Sequence, residues 1–321
     1  MKLLIIGNPR DLHVMQVVKK LRKNIRVAYA DVDLWRAYGG DRASAAMSKS
    51  GDYSLLGLYD LSKMDKIWLR RYNSYESFEK RGILDSYIKD EYTNLVKGML
   101  MSQEENKIFP RYLPNELNRN KTWQLYIAKK SGFIIPETVL GSNVDLLIRT
   151  FKETDELAVK SINRSSVRLE TEQVAEIRHL SFPTRKVTLK QLLSERDRYN
   201  RTPVIVQKYV DKKYELRITV VASQIFACAI DTQANPLSII DSRGALFKNI
   251  KHWQVNLPKV IVNKINKFMK LSHMNFACID MIVTPDDEYI FLEANPNGQW
   301  LWIERETGMK ISDAIADMLA C

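Results

Sequence analysis

The sequence is poor in the residues on which simple phosphate-binding and disulfide architectures depend. Only 12 of its 321 residues are glycine, about 4 % against a usual value of roughly 7 %, which argues against collagen-like or Gly-rich low-complexity character. Neither a Walker-type run nor a GxGxxG occurs, so chemistry on phosphate needs another device. Cys228, Cys278 and Cys321 are the three cysteines, and they do not form a disulfide framework. The first two lie inside the apolar runs QIFACAI and NFACIDMIV, where a small buried hydrophobe is the ordinary reading. Long hydrophobic runs are missing as well. The opening MKLLII gives way at Gly7-Asn8-Pro9-Arg10-Asp11, short of the roughly 7–15 residues of a signal-peptide core. No run approaches the ~18 apolar residues of a membrane span. A cytoplasmic protein is expected, with no membrane partner.

What is present points to a folded chain with a cationic surplus. Apolar residues make up 45 %, enough for a sizeable core, and the length suits two or three domains. Lys and Arg number 49 against 38 Asp and Glu, a formal net charge of +11. Nucleic acid, an anionic membrane surface or an acidic substrate could each exploit that charge. A nucleic-acid-binding module would cluster its cations among exposed aromatics. Here they are spread along the chain and often alternate with acids, as in Lys152-Glu153 and Glu195-Arg196-Asp197-Arg198. No nucleic-acid partner is expected.

Leu3 to Ile6 reads as a buried strand and Leu12 to Lys23 as a helix, with Val14, Val17, Val18 and Leu21 at helical spacing. Arg26 to Tyr29 and KIWLR (Lys66 to Arg70) follow as strands, the pattern of an open α/β domain. Lys107 to Leu117, with Pro110 and Pro114, reads as a connector. Beyond it a helix is predicted over Thr122 to Lys130, an extended piece at ETVL, a short strand at ELAVKSI and a helix near Leu189 to Arg198. The remainder is rich in strands: PVIVQKYV, ELRITVVA, QIFACAI, FACIDMIVT and YIFLEAN, closed by a helix over Ser312 to Leu319.

Chemistry concentrates between Phe276 and Asn295. FACIDMIVT and YIFLEAN flank the turn residues Pro285-Asp286-Asp287-Glu288. A four-residue loop pairing Thr284 with Tyr289 places Asp280 opposite Glu293, with Cβ atoms about 5 Å apart. Asn295 shares their face, while Ile279, Met281, Leu292 and Ala294 fall on the other. Like charges so placed destabilise a sheet unless neutralised. Two carboxylates and an amide oxygen form a hard site suited to Mg²⁺ or Mn²⁺; solvated acids on an exposed face are the plainer alternative.

Lys160, central in ELAVKSI, needs an anionic partner if its strand is interior, or snorkels to water if the strand is an edge. AVKSI echoes the strand lysine of protein kinases, but no HRD occurs and Asp280 is followed by Met-Ile, which removes that class. In PVIVQKYVDKKYELRI a buried strand runs through a short link into a second strand, with Glu215 and Arg217 on one face. Such a link can offer backbone groups to a purine and an acid to ribose; a cross-strand salt bridge is the commoner cause of the pattern. His13, His179, His252 and His273 fall in no motif that marks a general base. Each reads as structural, His252 least so.

Together these residues resemble an ATP-grasp ligase, and FLEANPNGQWLWIERETGM is similar to the microviridin-type ligases, the graspetide synthetases that mature ribosomal peptides. KIWLRRY, NKTWQLYIAKKSGFIIPETVL and Asp241-Ser242-Arg243, where that family has Asp-Trp-Arg, add to the resemblance. It implies an α/β (α+β) ATP-grasp fold. An N-terminal open α/β domain would span 1–115, a small central subdomain that contacts a leader peptide 116–206, and a C-terminal antiparallel-sheet subdomain 207–321. The implied cofactors are ATP and Mg²⁺, and the implied partner is an acidic ribosomal precursor peptide, leader plus core. A homodimer is also implied.

Carried over by residue, the resemblance gives Lys121 and Lys160 to the nucleotide phosphates, Lys208, Tyr209 and Val210 to adenine, and Glu215 to ribose. Asp280, Glu293 and Asn295 become Mg²⁺ ligands, and Arg217 and Arg243, with Lys160, serve the γ-phosphate and the activated carboxylate. The sequence departs from the family pattern at Ser242, and in the loop Ser161 to Ser166, which has no glycine. There Arg164 or the hydroxyls of Ser165 and Ser166 would replace backbone contacts. The basic stretch Thr184 to Arg201 falls where related ligases grip the leader. The implied reaction phosphorylates Asp or Glu side chains and joins them to Ser or Thr hydroxyls as macrolactones. The alternatives are amide bonds, either to Lys side chains or to amino acids added to a peptide or protein tail.

Overall fold

The computed structural model describes residues 1–30, 45–47, 53–55, 59–70, 83–162, 166–171, 174–234, 240 and 250–321. Near the N-terminus, β1 (Lys2–Ile6), β2 (Arg26–Ala30), β3 (Lys66–Leu69) and β4 (Ile108–Phe109) form a parallel sheet in the order β2-β1-β3-β4. Leu3 to Ile6 and Ile67 to Leu69 are buried without alternation, as strands covered on both faces must be. Helix α1 (Leu12–Val18) starts where the Asp11 side chain accepts from the His13 N–H. It ends five residues before the predicted Lys23, because Lys20 and Leu21 bond back to Val17 and Val18 in a tightened final turn.

Helix α2 (Ile83–Met101) packs Val96, Met99 and Leu100 on this sheet, a stripe the strand-based reading passed over. The expected connector instead contributes β4 and a short helix, Tyr112–Leu117.

Helix α3 (Lys121–Lys130), capped by the Asn120 side chain, leads into a second sheet. Its strands β5 (Thr138–Gly141), β6 (Glu156–Ser161), β7 (Arg185–Thr188) and β8 (Val204–Lys208) are antiparallel in the order β7-β6-β8-β5. Strand β6 is therefore interior, which removes the edge-strand reading of Lys160. A separate hairpin pairs Ser166–Thr171 with Val174–Ser181. The helix predicted near Leu189 to Arg198 breaks at Glu195 into Leu189–Ser194 and Arg196–Tyr199.

A third sheet, antiparallel, contains β9 (Tyr214–Val221), β10 (Gln224–Ile230), β11 (His252–Gln254), β12 (Phe276–Val283) and β13 (Tyr289–Asn295) in the order β11-β10-β9-β12-β13. Helix α4 (Lys259–Leu271), also unforeseen, joins α3 on one face. Leu125, Ala128, Ile261, Ile265 and Phe268 pack there against Leu216, Ile218, Ile279 and Met281. Helix α5 (Leu301–Thr307) and helix α6 (Ile311–Leu319) follow β13. Ile303, Ile311, Ile315 and Leu319 share a core with Leu3, Ile5, Val14 and Val17, so the first and third sheets are joined by buried apolar contact. Cys228 and Cys278 are free and buried, as their apolar surroundings require. Among the described residues no helix is long and apolar enough to cross a membrane.

Candidate functional site

The site is built on three adjacent strands. Arg217 on β9 stands opposite Asp280 on β12, and Asp280 opposite Glu293 on β13, so the three side chains form one row across the sheet. The pairing of Asp280 with Glu293 is as the sequence predicted, but the path to it differs. The loop is Pro285 to Asp287, closed by bonds from Thr284 N–H to Glu288 and from Asp287 N–H to Thr284, with Asp287 at φ +61°. Such a three-residue connection with a left-handed third residue is a common hairpin form. Val283, not Thr284, therefore pairs with Tyr289, and a bulge between Asp280 and Met281 restores the register. The bulge also turns Leu292 toward the cleft, whereas Ile279, Met281 and Ala294 stay in the core.

The two acids are neutralised by cations of the chain itself. Arg217 Nη1 lies 2.7 Å from each oxygen of Asp280, and Lys121 Nζ lies 3.1 Å from Glu293 Oε2. Burial, reinforced by Glu293, pushes the Asp280 carboxyl up to about 6 although Arg217 pulls against it. For Glu293 the balance reverses: burial raises it, yet Lys121 and Lys160 hold it below the usual carboxylate range. Asn295 Oδ1 accepts from the Asn297 N–H at 3.0 Å.

The opposite wall comes from the second sheet. Lys160 Nζ donates to Gln207 Oε1 at 3.0 Å, a neutral partner in place of the expected anion. Burial lowers the Lys160 ammonium, and nearby Glu293 opposes this in part. The link after β8 is tied down by bonds from Lys208 N–H to Glu137 and from Tyr209 N–H to Glu156, with Lys186 Nζ 4.0 Å above the Tyr209 ring. Glu215 pairs with Lys212 rather than with Arg217. These walls enclose a cleft of about 760 Å³ lined by Lys121, Lys160, Lys208, Tyr209, Val210, Glu215, Arg217, Asp280, Glu293 and Asn295. Of the residues singled out for chemistry, Arg243 lies outside the described residues, as do Asp241, Ser242 and Asn163 to Ser165.

Gln207, Lys212 and Asn297 also line the cleft and were not picked out in the sequence; one amide or lysine among many carries no local signal. Arg70, at the end of the strand KIWLR and given no chemical role from the sequence, is 1 % exposed. It donates to Asn297 Oδ1 at 3.1 Å and Gly298 O at 3.3 Å, and lies 3.4 Å from Asp11. Asp11 accepts from His13 Nδ1, whose Nε2 accepts from the Leu301 N–H. A buried network from the first sheet thus holds the loop after Asn295. His13 belongs to that scaffold, and His252 stacks edge-on against Trp302. In the basic stretch, Arg185 and Arg198 share Glu195, and Lys186 pairs with Glu156, so part of its charge is already spent internally.

Among the described residues no three His, Cys, Asp or Glu side chains form a metal cluster. Two carboxylates with an amide oxygen suit Mg²⁺, which keeps several waters and takes one or two protein carboxylates beside substrate phosphates. The donor set fits such an ion.

Residues 179–319 match the RimK-like ATP-grasp domain. The whole chain superposes on solved structures. One is the Chryseobacterium gregarium RiPP-associated ATP-grasp ligase in complex with ADP and a leader and core peptide, at 26 % identity and TM-score 0.81, covering 99 % of this chain and 96 % of that one. Another is the macrocyclase MdnC of Microcystis aeruginosa MRC bound with precursor peptide MdnA, at 24 % identity and TM-score 0.81, covering 100 % and 99 %. The macrocyclase MdnB of the same organism follows at 24 % identity and TM-score 0.73, covering 99 % and 98 %. No curated protein sequence matches the chain. The fold is that of the ATP-grasp ligases, and the chain resembles their peptide-modifying members from end to end.

Proposed function

We propose that this ATP-grasp ligase activates Asp or Glu side-chain carboxylates of a ribosomal precursor peptide with ATP and condenses them with Ser or Thr hydroxyls of the same peptide. The observation that carries the reading is the charged row Arg217–Asp280–Glu293–Lys121 facing Lys160 across one cleft. The similarity to ligases solved with ADP and precursor peptides supports it.

A carboxylate is a poor electrophile, and its condensation with an alcohol in water is uphill. Transfer of the γ-phosphoryl to the carboxylate gives an acyl phosphate with a good leaving group; attack by the hydroxyl then releases phosphate, leaving ADP as the other product. Lys121 and Lys160 reach the phosphates from opposite walls, preset donors in a site partly closed to water. Lys208, Tyr209 and Val210 bind the adenine edge, and Glu215 the ribose. Arg217, and Arg243 beside it in role, orient the carboxylate that receives the phosphoryl group. Asp280, Glu293 and Asn295 would hold Mg²⁺, which when bound offsets phosphate charge.

The same reading divides the chain near residues 115 and 206, and takes the leader peptide onto the central part, around the basic stretch Thr184 to Arg201. The +11 charge then serves ATP and an acidic peptide.

The test is co-expression with any short Asp/Glu-rich peptide encoded beside its gene, followed by mass spectrometry and mild alkaline hydrolysis. The expected result is loss of one water per cross-link, reversed by mild base as esters are. A mass loss that base does not reverse means amide bonds, and a gain of amino-acid mass means tail extension; either result overturns the ester reading. No ATP-dependent change overturns the whole assignment.

A further inference from the structure

Strand β13 is the outer strand of its sheet and carries Glu293 and Asn295 on either side of Ala294. An outer strand leaves alternate backbone groups without a ladder partner. At Ala294 both groups are taken by one side chain. Gln124 Oε1 accepts from the Ala294 N–H at 2.9 Å, and Gln124 Nε2 donates to the Ala294 carbonyl at 2.7 Å. The second Nε2 proton goes to the Asn118 carbonyl at 2.5 Å. Gln124 is 3 % exposed, so its carboxamide acts as a single residue of a neighbouring strand.

The position of this contact matters. The β-bulge loosens the ladder just before Glu293, and Gln124 restrains the strand immediately after it. Ala294 is buried in the core, and side chains alternate along a strand. Fixing the Ala294 backbone therefore sets the direction in which Glu293 and Asn295 enter the cleft. Helix α3 also presents Lys121, one turn earlier, to Glu293, so one helix controls both the charge and the aim of that carboxylate.

Building on the reading above, we propose that Gln124 is a positioning residue for the divalent-cation site, acting through the Ala294 backbone without touching the ion. Groups that orient metal ligands cost 10- to 100-fold in metal affinity when lost.

The test measures Mn²⁺ binding in the presence of ADP by electron paramagnetic resonance, and ADP binding in EDTA by calorimetry, for the full chain and two variants. Gln124→Met keeps the volume without the amide bonds, and Gln124→Asn keeps the amide but falls short of Ala294. The expected result is Mn²⁺ affinity lower by about 10-fold or more in both, with metal-free ADP affinity within about two-fold of the parent. Should one variant fail to fold, the other decides. Unchanged Mn²⁺ affinity overturns the proposal. An equal loss of metal-free ADP affinity also overturns it, since Gln124 would then support the fold in general. If the parent chain itself binds no Mn²⁺ with ADP, the functional reading fails instead.

Discussion

Gly298 is a demanding position next to the charged row, and its replacement by alanine gives a worked case. A Cβ there would overlap Cys278, coming within 2.5 Å of Sγ and closer still to Cβ, and would stand 3.1 Å from Arg217 Nη2. Cys278 is fully buried on β12, which is paired on both sides, with β9 and β13, so it cannot retreat. Overpacking of this kind costs about 1–3 kcal/mol, and contact with an immobile strand places Gly298→Ala near about 3 kcal/mol. At about 2–4 °C per kcal/mol the midpoint should fall by roughly 6–12 °C. Because Arg70 grips the Gly298 carbonyl and Arg217 lies against the same loop, activity should fall further than stability.

Gly98 supplies the contrast. It is in the interior of α2 with nothing within 4 Å of its would-be Cβ. Gly98→Ala should stabilise by about 0.5–1 kcal/mol through helix propensity and a less free unfolded chain. Thermal unfolding of both variants, paired with initial rates of ATP-dependent peptide modification, checks the reasoning. Opposite signs are expected. A Gly298→Ala protein that melts with the parent and keeps its rate would refute the packing argument.

Three further outcomes follow from the same contacts. Lys160→Met should lower turnover about 10²- to 10³-fold while leaving the melting temperature unchanged or higher, since it replaces an ammonium that burial already disfavours; rates and thermal unfolding measured together separate the two effects. Asp280→Asn strips Arg217 of its bidentate partner and should destabilise by about 2–3 kcal/mol, below the 3–5 kcal/mol of a fully buried pair, as read by urea denaturation. Asp11 is raised by burial, but His13 and Arg70 more than reverse this and hold its carboxyl well below the usual range. Its contribution is fully present above its unfolded value near pH 4 and is lost as pH falls below that, so Asp11→Asn should unfold at lower urea at pH 7 and lose less additional stability between pH 4 and pH 2.

The third sheet was the most legible part of the chain because its strands alternate or run apolar between clear turns. Alternation together with a supposed four-residue loop placed Asp280 opposite Glu293, and that pair is the one observed. The bulge and the three-residue loop escaped notice because they compensate: the loop is one residue shorter than supposed, and the bulge absorbs that residue before Glu293. Helices α2 and α4 were missed since their apolar residues lie among stretches read for strands and links. The neutral partner of Lys160 and the grip of Gln124 on Ala294 depend on residues 47 and 170 positions apart, a proximity that no local pattern encodes. The buried network of Asp11, His13 and Arg70 was hidden for the same reason.

The central claim, that phosphoryl transfer to a peptide carboxylate precedes bond formation, can be tested by oxygen labelling. A precursor peptide with ¹⁸O in its Asp and Glu carboxylates is incubated with the protein, ATP and Mg²⁺, and the released phosphate is analysed by mass spectrometry. The account predicts one ¹⁸O delivered to inorganic phosphate for each cross-link formed, with ADP as the nucleotide product. Phosphate free of label, or formation of AMP and pyrophosphate, would contradict it.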